Sequence, residues 1–333
     1  MGCTLLGACG DFLEEYSQEL VYARSCEDLD EILIGNGYMK RNASQDFFYY
    51  NETGMYYPYL HVMDDDVEEF ITGGLKMNGF STPAERLRNF YAWGERPFSY
   101  MDGTEMRDID WKRLYQHIGY VNVIISYVKE FEKDPEEIRR RVMGEAQFLR
   151  GWYYYMLVNL YAKPYSEKTA SMDLGVPLNL TEAIEDKYFV RNSIAETYDV
   201  IVNDLKIAAD KLKDVTQENF YRVDEAGARV LLSRVYLYMG EWQLALDECE
   251  KIAQMQMSKR ELRDMNGWNM FVNNIRHGWL DTYNTGSPAS PEILFTQGTP
   301  IMSNFSVSST GASGRGGRFC ASEELMELYY KYE

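Results

Sequence analysis

Basic residues are scarce in this sequence of 333 residues: 34 lysines and arginines stand against 52 aspartates and glutamates, and the formal net charge is −18. A nucleic-acid partner needs a basic surface that neutralises its phosphates, so this composition argues against one. The same deficit disfavours adsorption to anionic lipid. Long hydrophobic runs are also lacking, because no segment reaches the roughly 18–20 apolar residues that a membrane-spanning helix requires.

Catalytic and metal-binding motifs are lacking as well. The three histidines and five cysteines include no CxxC pair and show no metal-ligand spacing. No GxSxG, HExxH, phosphate-loop or GxGxxG pattern occurs in a suitable context. The consecutive carboxylates Asp64, Asp65 and Asp66 could hold calcium, but they lack the spacing and glycine of an EF-hand, which favours a solvated acidic helix start. We therefore predict a protein that is not an enzyme and has no cofactor.

Aromatic residues, in contrast, are abundant, at 14% of the chain with 27 tyrosines. They are densest in the segment GEAQFLRGWYYYMLVNLYAKPY at 144–165. We predict a helix that starts at Asp134-Pro135, with Asp134 as its cap and Pro135 in its first turn, and that ends before Pro164. Apolar residues cover so much of its circumference that it needs neighbours on several sides, which indicates a helical array. Glu145 and Arg150 lie inside this apolar helix and are predicted to be paired structural charges, not a catalytic pair.

A second helical pattern occupies residues 225–256. Leu232, Ser233 and Tyr236 follow the large-small-aromatic pattern of the first helix of a tetratricopeptide repeat. Gly240 is predicted to make the turn, and Ala245 is the small residue at the point where the two helices touch. Cys249 is predicted to be a small core residue on the second helix. Further helices are predicted near 108–130 and from Ser193, which we expect to cap its helix.

The segment at 144–165 resembles the signature helix of the SusD/RagB family of outer-membrane nutrient-binding lipoproteins. The segments SPEILFTQ and FCASEELMELYYKYE resemble two further landmarks of that family. The resemblance implies a mainly all-α fold, in which tetratricopeptide-like helix hairpins form a scaffold that carries long irregular loops. We expect one SusD-like domain over 10–333, with such pairs near 108–162, 193–213 and 224–256, and without the usual C-terminal portion of the family.

The N-terminus offers a possible membrane anchor at Cys9. Leu6, Gly7 and Ala8 precede this cysteine, and LGAC resembles the lipobox of bacterial lipoproteins, in which the cysteine is acylated. We interpret residues 1–9 as the remnant of a lipoprotein signal. The resemblance implies a lipid-anchored protein at the outer face of the outer membrane, in contact with a SusC-like TonB-dependent transporter.

Aromatic side chains on loops are the candidates for ligand binding. A sugar ring presents a flat C–H face and polar edges, so proteins hold sugars by stacking aromatic rings and adding hydrogen bonds at the rim. The family places its glycan-binding loops before the signature helix and after the repeats. The candidate ligand-binding residues in these regions are Tyr57, Trp93, Trp268, Trp279 and Tyr283.

The function implied is non-catalytic binding of oligosaccharides at the cell surface and their delivery to the transporter. Two alternatives remain open at this point. The same kind of binder could load oligopeptides, or the tetratricopeptide-like region could serve as a protein-interaction scaffold.

Overall fold

The computed structural model describes eight parts of the chain, which fall into two compact units. The first unit is drawn from residues 1–39 and 116–296, and the second from residues 40–115 and 297–333. The described residues are mainly α-helical, as predicted. None of their helices is long and apolar enough to cross a membrane. The described residues are 23–39, 56–69, 87, 89–100, 102–183, 189–255, 294–296 and 319–331.

Helices occupy the ranges in which the sequence predicts them. Helix α1 (Cys26–Ile32) is followed by a π-helical turn at Leu33–Gly37, and α2 (Ile109–Tyr127) begins in the second unit and continues in the first. The tetratricopeptide-like pairing and the single domain over 10–333 stay predictions. The remaining helices of the first unit are α3 (Glu136–Tyr161), α4 (Ile194–Lys211), α5 (Glu225–Met239) and α6 (Trp242–Gln254).

Helix α3 is buried along most of its length, as its apolar circumference predicts. It packs against α4, α4 packs against α5, and α5 packs against α6. Two glycines of α3 permit its close approach to α4. A Cβ atom on Gly144 would lie 2.7 Å from Cγ of Leu212, and one on Gly151 would lie 3.2 Å from Cγ of Leu205. Larger residues at these positions would push the two helices apart.

The start of α3 differs from the prediction. Pro135 is the N-cap residue, and no side chain caps the helix. Asp134 therefore lies one residue too early to cap α3, and its carboxylate instead accepts the N–H of Cys26 at 2.6 Å. The predicted cap is wrong, and the side chain ties the start of α1 to the α2–α3 connection.

The two charged residues inside α3 are paired, as predicted. Arg150 forms a bidentate ion pair with Asp204 of α4, at 2.7 Å and 2.8 Å, and donates to Oδ1 of Asn122 at 3.0 Å. Glu145 is fully buried and accepts from the Tyr38 hydroxyl, from Gln217 at 2.9 Å and from Arg222 at 2.9 Å and 3.0 Å. These contacts join α3 to neighbouring segments and serve the fold.

A reciprocal capping box begins α4. The Ser193 hydroxyl accepts the N–H of Glu196 at 3.1 Å, and the Glu196 carboxylate accepts the N–H of Ser193 at 2.8 Å. Each bond satisfies a backbone donor that the first turn of a helix would otherwise leave without a partner. The predicted cap is confirmed.

Replacing Ser193 by alanine should lower the free energy of unfolding by about 1 kcal/mol, because the N–H of Glu196 loses its acceptor. Urea denaturation followed by circular dichroism measures this change. Ser126, which caps no helix, provides the control substitution Ser126→Ala. Equal stability of the Ser193→Ala variant and the unmodified protein would contradict the prediction.

The α5–α6 hairpin forms where the repeat pattern predicts it. The Asp224 carboxylate caps α5 by accepting the N–H of Gly227 at 2.9 Å. Gly240 makes the turn at a φ of +79°, which favours glycine, and Ala245 is 3% exposed at the contact between the helices. Cys249 is exposed, so its prediction as a core residue is wrong. Its thiol lies on the rim of the contact, 3.5 Å from the Ser233 hydroxyl.

The second unit combines short elements with irregular segments. A 3-10 helix at Pro58–Val62 precedes strand β1 (Val67–Glu69), which pairs antiparallel with β2 (Phe319–Ala321), with Val67 opposite Ala321. Helix α7 (Glu323–Tyr330) follows β2. The exposed carboxylates at 64–66 lie in a turn before β1. They are solvated as predicted, but they do not start a helix.

Candidate functional site

Trp93 is the most exposed aromatic side chain among the candidate ligand-binding residues that the structure describes. The side chain is 71% exposed, and the backbone has a φ of +50°. A bulky residue seldom adopts this left-handed conformation, and it does so only where the surrounding structure imposes it. The N–H of Trp93 donates to the carbonyl of Phe90 at 3.0 Å, which closes a tight turn after residue 90. The turn therefore presents an indole ring to solvent at a fixed position.

Asn89 holds this turn from both sides. Its carbonyl accepts the N–H of Gly94 at 2.8 Å, while its side-chain amide donates to the carbonyl and hydroxyl of Ser99 at 2.7 Å and 2.9 Å. The Ser99 hydroxyl in turn donates to the carbonyl of Arg96 at 2.7 Å. One asparagine thus fixes both ends of the segment that carries Trp93.

A cluster of two buried rings and one half-buried ring supports the turn. Tyr59 stacks on Phe90 with a centroid separation of 4.4 Å, and Phe98 meets Phe90 edge-on at 5.0 Å. Such ring pairs stabilise a fold beyond the area they bury. Because Phe90 also accepts the hydrogen bond from Trp93, this cluster connects the exposed ring to the interior of the second unit.

Tyr57 belongs to the interior and not to the exposed surface. It is 3% exposed, its ring meets Tyr59 edge-on at 6.0 Å, and its N–H donates to the Asp110 carboxylate at 2.9 Å. In this structure Tyr57 therefore supports the segment at 56–62 and presents no ring face to a ligand. Its place in an irregular segment made Tyr57 a candidate, whereas the hydrogen bond from its N–H to the buried Asp110 holds the backbone in the interior.

A buried ion pair fixes the same segment. Asp110 is fully buried and pairs with Arg113 at 3.2 Å, and the Arg113 guanidinium lies 3.3 Å from the centre of the Tyr56 ring. Burial raises the pKa of Tyr56, while the nearby guanidinium acts in the opposite direction. Sequence reasoning missed this group, although the one-turn spacing of Asp110 and Arg113 on a helix is a signal that could have found the pair.

The arrangement around Trp93 suits binding of a flat, weakly polar surface. The exposed indole offers an apolar face, and the neighbouring side chains of Glu95 and Arg96 are exposed and can supply hydrogen bonds at its rim. The predicted site residues Trp268, Trp279 and Tyr283, and the predicted lipidation site Cys9, lie outside the described residues.

Comparison with known proteins agrees with the fold. Residues 87–237 match a SusD-like family described as starch-binding and associating with the outer membrane. SusD-like protein P25 of Formosa agariphila is 24% identical over 209 residues, which cover 61% of this chain and 34% of that protein.

Solved structures have a similar fold. A SusD superfamily protein from Bacteroides thetaiotaomicron has a TM-score of 0.65 at 22% identity, over 92% of this chain and 62% of that one. A SusD-like carbohydrate binding protein from Bacteroides vulgatus has a TM-score of 0.53 at 19% identity, over 73% of this chain and 47% of that one. The chain therefore spans less than two thirds of the length of each of these relatives, and the predicted SusD-like helical fold is confirmed.

Proposed function

We propose that the chain is a SusD-like protein that binds oligosaccharides at the cell surface without cleaving them, because residues 87–237 match a SusD-like family and the fold resembles that of SusD superfamily structures. The family is one of starch-binding proteins associated with the outer membrane. The observation that carries the proposal for this chain is the Trp93 turn, which holds an exposed indole in a conformation that the fold itself imposes.

The physical argument rests on how sugars are recognised. The C–H face of a pyranose ring stacks on an aromatic ring, and a ring held at a fixed position loses little conformational entropy on binding. Trp93 offers an exposed ring, and hydrogen bonds to Asn89 and Phe90 fix the backbone that carries it, so only the side-chain torsions remain to be ordered on binding. Trp268, Trp279 and Tyr283 are proposed as further ligand contacts.

The proposal extends to location and partners. Acylation at Cys9 would anchor the protein to the outer membrane, and bacterial lipoprotein anchors carry several acyl chains, which suits stable attachment. A SusC-like TonB-dependent transporter would then receive the bound oligosaccharide. We assign the helical scaffold to the contact with the transporter and the loop aromatics to the ligand.

Replacing Trp93 by alanine should weaken oligosaccharide binding by about tenfold, because the stacking surface is lost. The measurement begins with a glycan array probed with the full chain, alongside an oligopeptide mixture. The glycan that binds most tightly is then titrated calorimetrically with each variant. Trp242→Ala is the matched control, because Trp242 is 68% exposed and lies in the other unit.

The outcomes separate the candidate functions. Loss of affinity in the Trp93 variant alone, with an unchanged melting temperature, supports the proposal. Binding of oligopeptides but of no glycan would replace it with peptide capture. Equal glycan affinity of the Trp93 and Trp242 variants would show that Trp93 is not part of the platform, and release of cleaved sugar would contradict a non-catalytic role.

A further inference from the structure

Four tyrosines of the first unit converge at one end of helices α3, α4 and α5. The rings of Tyr155 and Tyr238 meet edge-on with centroids 5.5 Å apart, and those of Tyr165 and Tyr198 meet at 4.9 Å. The Tyr198 hydroxyl donates to Oδ1 of Asn159 at 3.3 Å, and the Asn159 side-chain amide donates to the carbonyl of Tyr155 at 2.7 Å, which links the two pairs. Burial raises the pKa of Tyr198 to about 12. The two ring pairs therefore form one group.

This group has a buried inner part and an exposed outer part. Tyr198 is 1% exposed and Tyr155 is 9% exposed, so these two rings serve the packing of the helices. Tyr238 is 55% exposed, and Trp242, just beyond the Gly240 turn, is 68% exposed. Rings exposed to this degree contribute little to the stability of the hairpin. Their position needs an explanation other than folding.

Exposed carboxylates surround the outer part. Asp199 follows Tyr198 on α4, Glu241 precedes Trp242, and Glu167 lies two residues after Tyr165, and all three side chains are exposed. Burial raises the pKa of Tyr165, and the negative charges of these carboxylates raise it further. Among the described residues, none of the three is in an ion pair. Of the cations nearby, Lys163 is paired with Asp173 at 2.6 Å, and Arg234 is exposed one helical turn before Tyr238 and lies near Tyr155.

We propose that this surface, formed by Tyr165, Tyr238, Trp242, Glu167, Asp199 and Glu241, is a docking site for a cationic segment of a partner protein. We call it the tyrosine–carboxylate surface. An arginine side chain can stack on an exposed aromatic ring and pair with a carboxylate at the same time. A neutral sugar would use the rings but would leave the excess of negative charge at this surface without a counter-charge. The combination of rings and carboxylates therefore selects for positive charge.

This site is independent of the proposed glycan site, because it lies in the other unit and shares no residue with it. Its ligand also differs in chemistry. Binding at the tyrosine–carboxylate surface should weaken at high salt, since screening reduces the attraction between exposed charges. Stacking of a neutral sugar on Trp93 should not depend on salt in this way.

The test uses two blocked peptides of equal length, tetra-arginine and tetra-citrulline. Citrulline keeps the shape and most hydrogen-bond donors of arginine but carries no charge. We expect the full chain to bind tetra-arginine and not tetra-citrulline, as measured by fluorescence anisotropy of labelled peptide. Trp242→Ala should weaken binding by about threefold, and the double substitution Asp199→Asn with Glu241→Gln by about tenfold.

Two controls distinguish this site from the diffuse attraction of an acidic protein. Glu137→Gln combined with Glu130→Gln removes two exposed carboxylates near the opposite end of α3, and Trp93→Ala removes an exposed tryptophan of the other unit. Both control variants should bind tetra-arginine like the unmodified protein.

Three results would overturn the proposal. The first is equal weakening by the control pair Glu130→Gln and Glu137→Gln. The second is binding of tetra-citrulline as tight as that of tetra-arginine. The third is self-association of the full chain that Trp242→Ala abolishes, because a second copy would then be the occupant.

Discussion

Replacing Arg150 by methionine should lower the free energy of unfolding by about 3–5 kcal/mol, because it leaves a fully buried carboxylate without its counter-charge. The Asp204 carboxylate would lose both hydrogen bonds from Arg150, and Oδ1 of Asn122 would lose its donor. Burial by itself lowers the pKa of Arg150, and the hydrogen bonds and charge of Asp204 outweigh this effect and raise it. Asp204 therefore stabilises the charged form of Arg150. Urea denaturation at neutral pH measures the loss.

A double variant that replaces both Arg150 and Asp204 by apolar residues tests whether the ion pair itself stabilises the fold, or whether only the loss of one partner is destabilising. Replacing Asp204 by leucine in the Arg150→Met background removes the uncompensated charge, so we expect much of the lost stability to return. Arg140→Met on the same helix is the control, because the hydrogen bond that Arg140 makes within the described residues is an exposed one to the carbonyl of Lys213. A single Arg150→Met variant no less stable than this control would contradict the assignment of a buried, necessary pair.

The elements that could be predicted are those whose causes lie close together in the sequence. The Ser193 capping box spans four residues, and the α5–α6 hairpin follows from a glycine turn and a small residue at the contact. The aromatic density of α3 signals burial because no solvent-exposed helix would carry it. In each case the physical cause is local, so a single sequence reveals it.

The predictions that failed depend on partners far away in the chain. Asp134 has the right residue type for a cap, but the N–H of Cys26, 108 residues away in the sequence, takes its carboxylate. Cys249 has the spacing of a core residue, yet α6 buries only one narrow face, at Ala245 and Glu248. No local pattern could reveal these outcomes.

The candidate site also combines a feature that the local sequence predicts with features that depend on contacts between separated residues. A loop tryptophan at position 93 could be selected from its residue type and its place in an irregular segment. Its left-handed backbone and its support by Asn89 could not, because they depend on hydrogen bonds to Ser99 across the loop. Tyr57 had an equal claim from sequence, and only the buried acceptor at Asp110 distinguishes the two.

Four charged residues, two carboxylates and two arginines, form an ion network around Asp30. Breaking this network should cause the second large loss of stability, and the size of that loss should depend on pH. Arg222 donates to Asp30 and to the buried Glu145, and Arg141 donates to Asp30 at 3.0 Å and 3.1 Å. Burial alone would raise the pKa of Asp30, but the hydrogen bonds and charges of Arg222 and Arg141 outweigh burial and lower it. A lowered carboxyl pKa means that ionised Asp30 stabilises the fold. This contribution is present above the unfolded pKa, near 4, and is lost as the pH falls through the lower pKa of the folded state.

Replacing Arg222 by methionine should therefore lower the free energy of unfolding by about 2–3 kcal/mol at neutral pH, since Glu145 and Asp30 keep only Arg141 as a cation. The gap between variant and unmodified protein should shrink progressively as the pH falls below about 4, and it should be smallest below the lowered pKa of Asp30, where Asp30 is protonated in both. The free energy of unfolding of the Arg222→Lys variant should lie between those of Arg222→Met and the unmodified protein. Lysine keeps the charge but lacks the planar guanidinium that bridges two carboxylates. Urea denaturation across this pH range measures the gap, with Arg140→Met as the control. A gap that stays constant from neutral to acidic pH would show that the pairing with Asp30 is not its source.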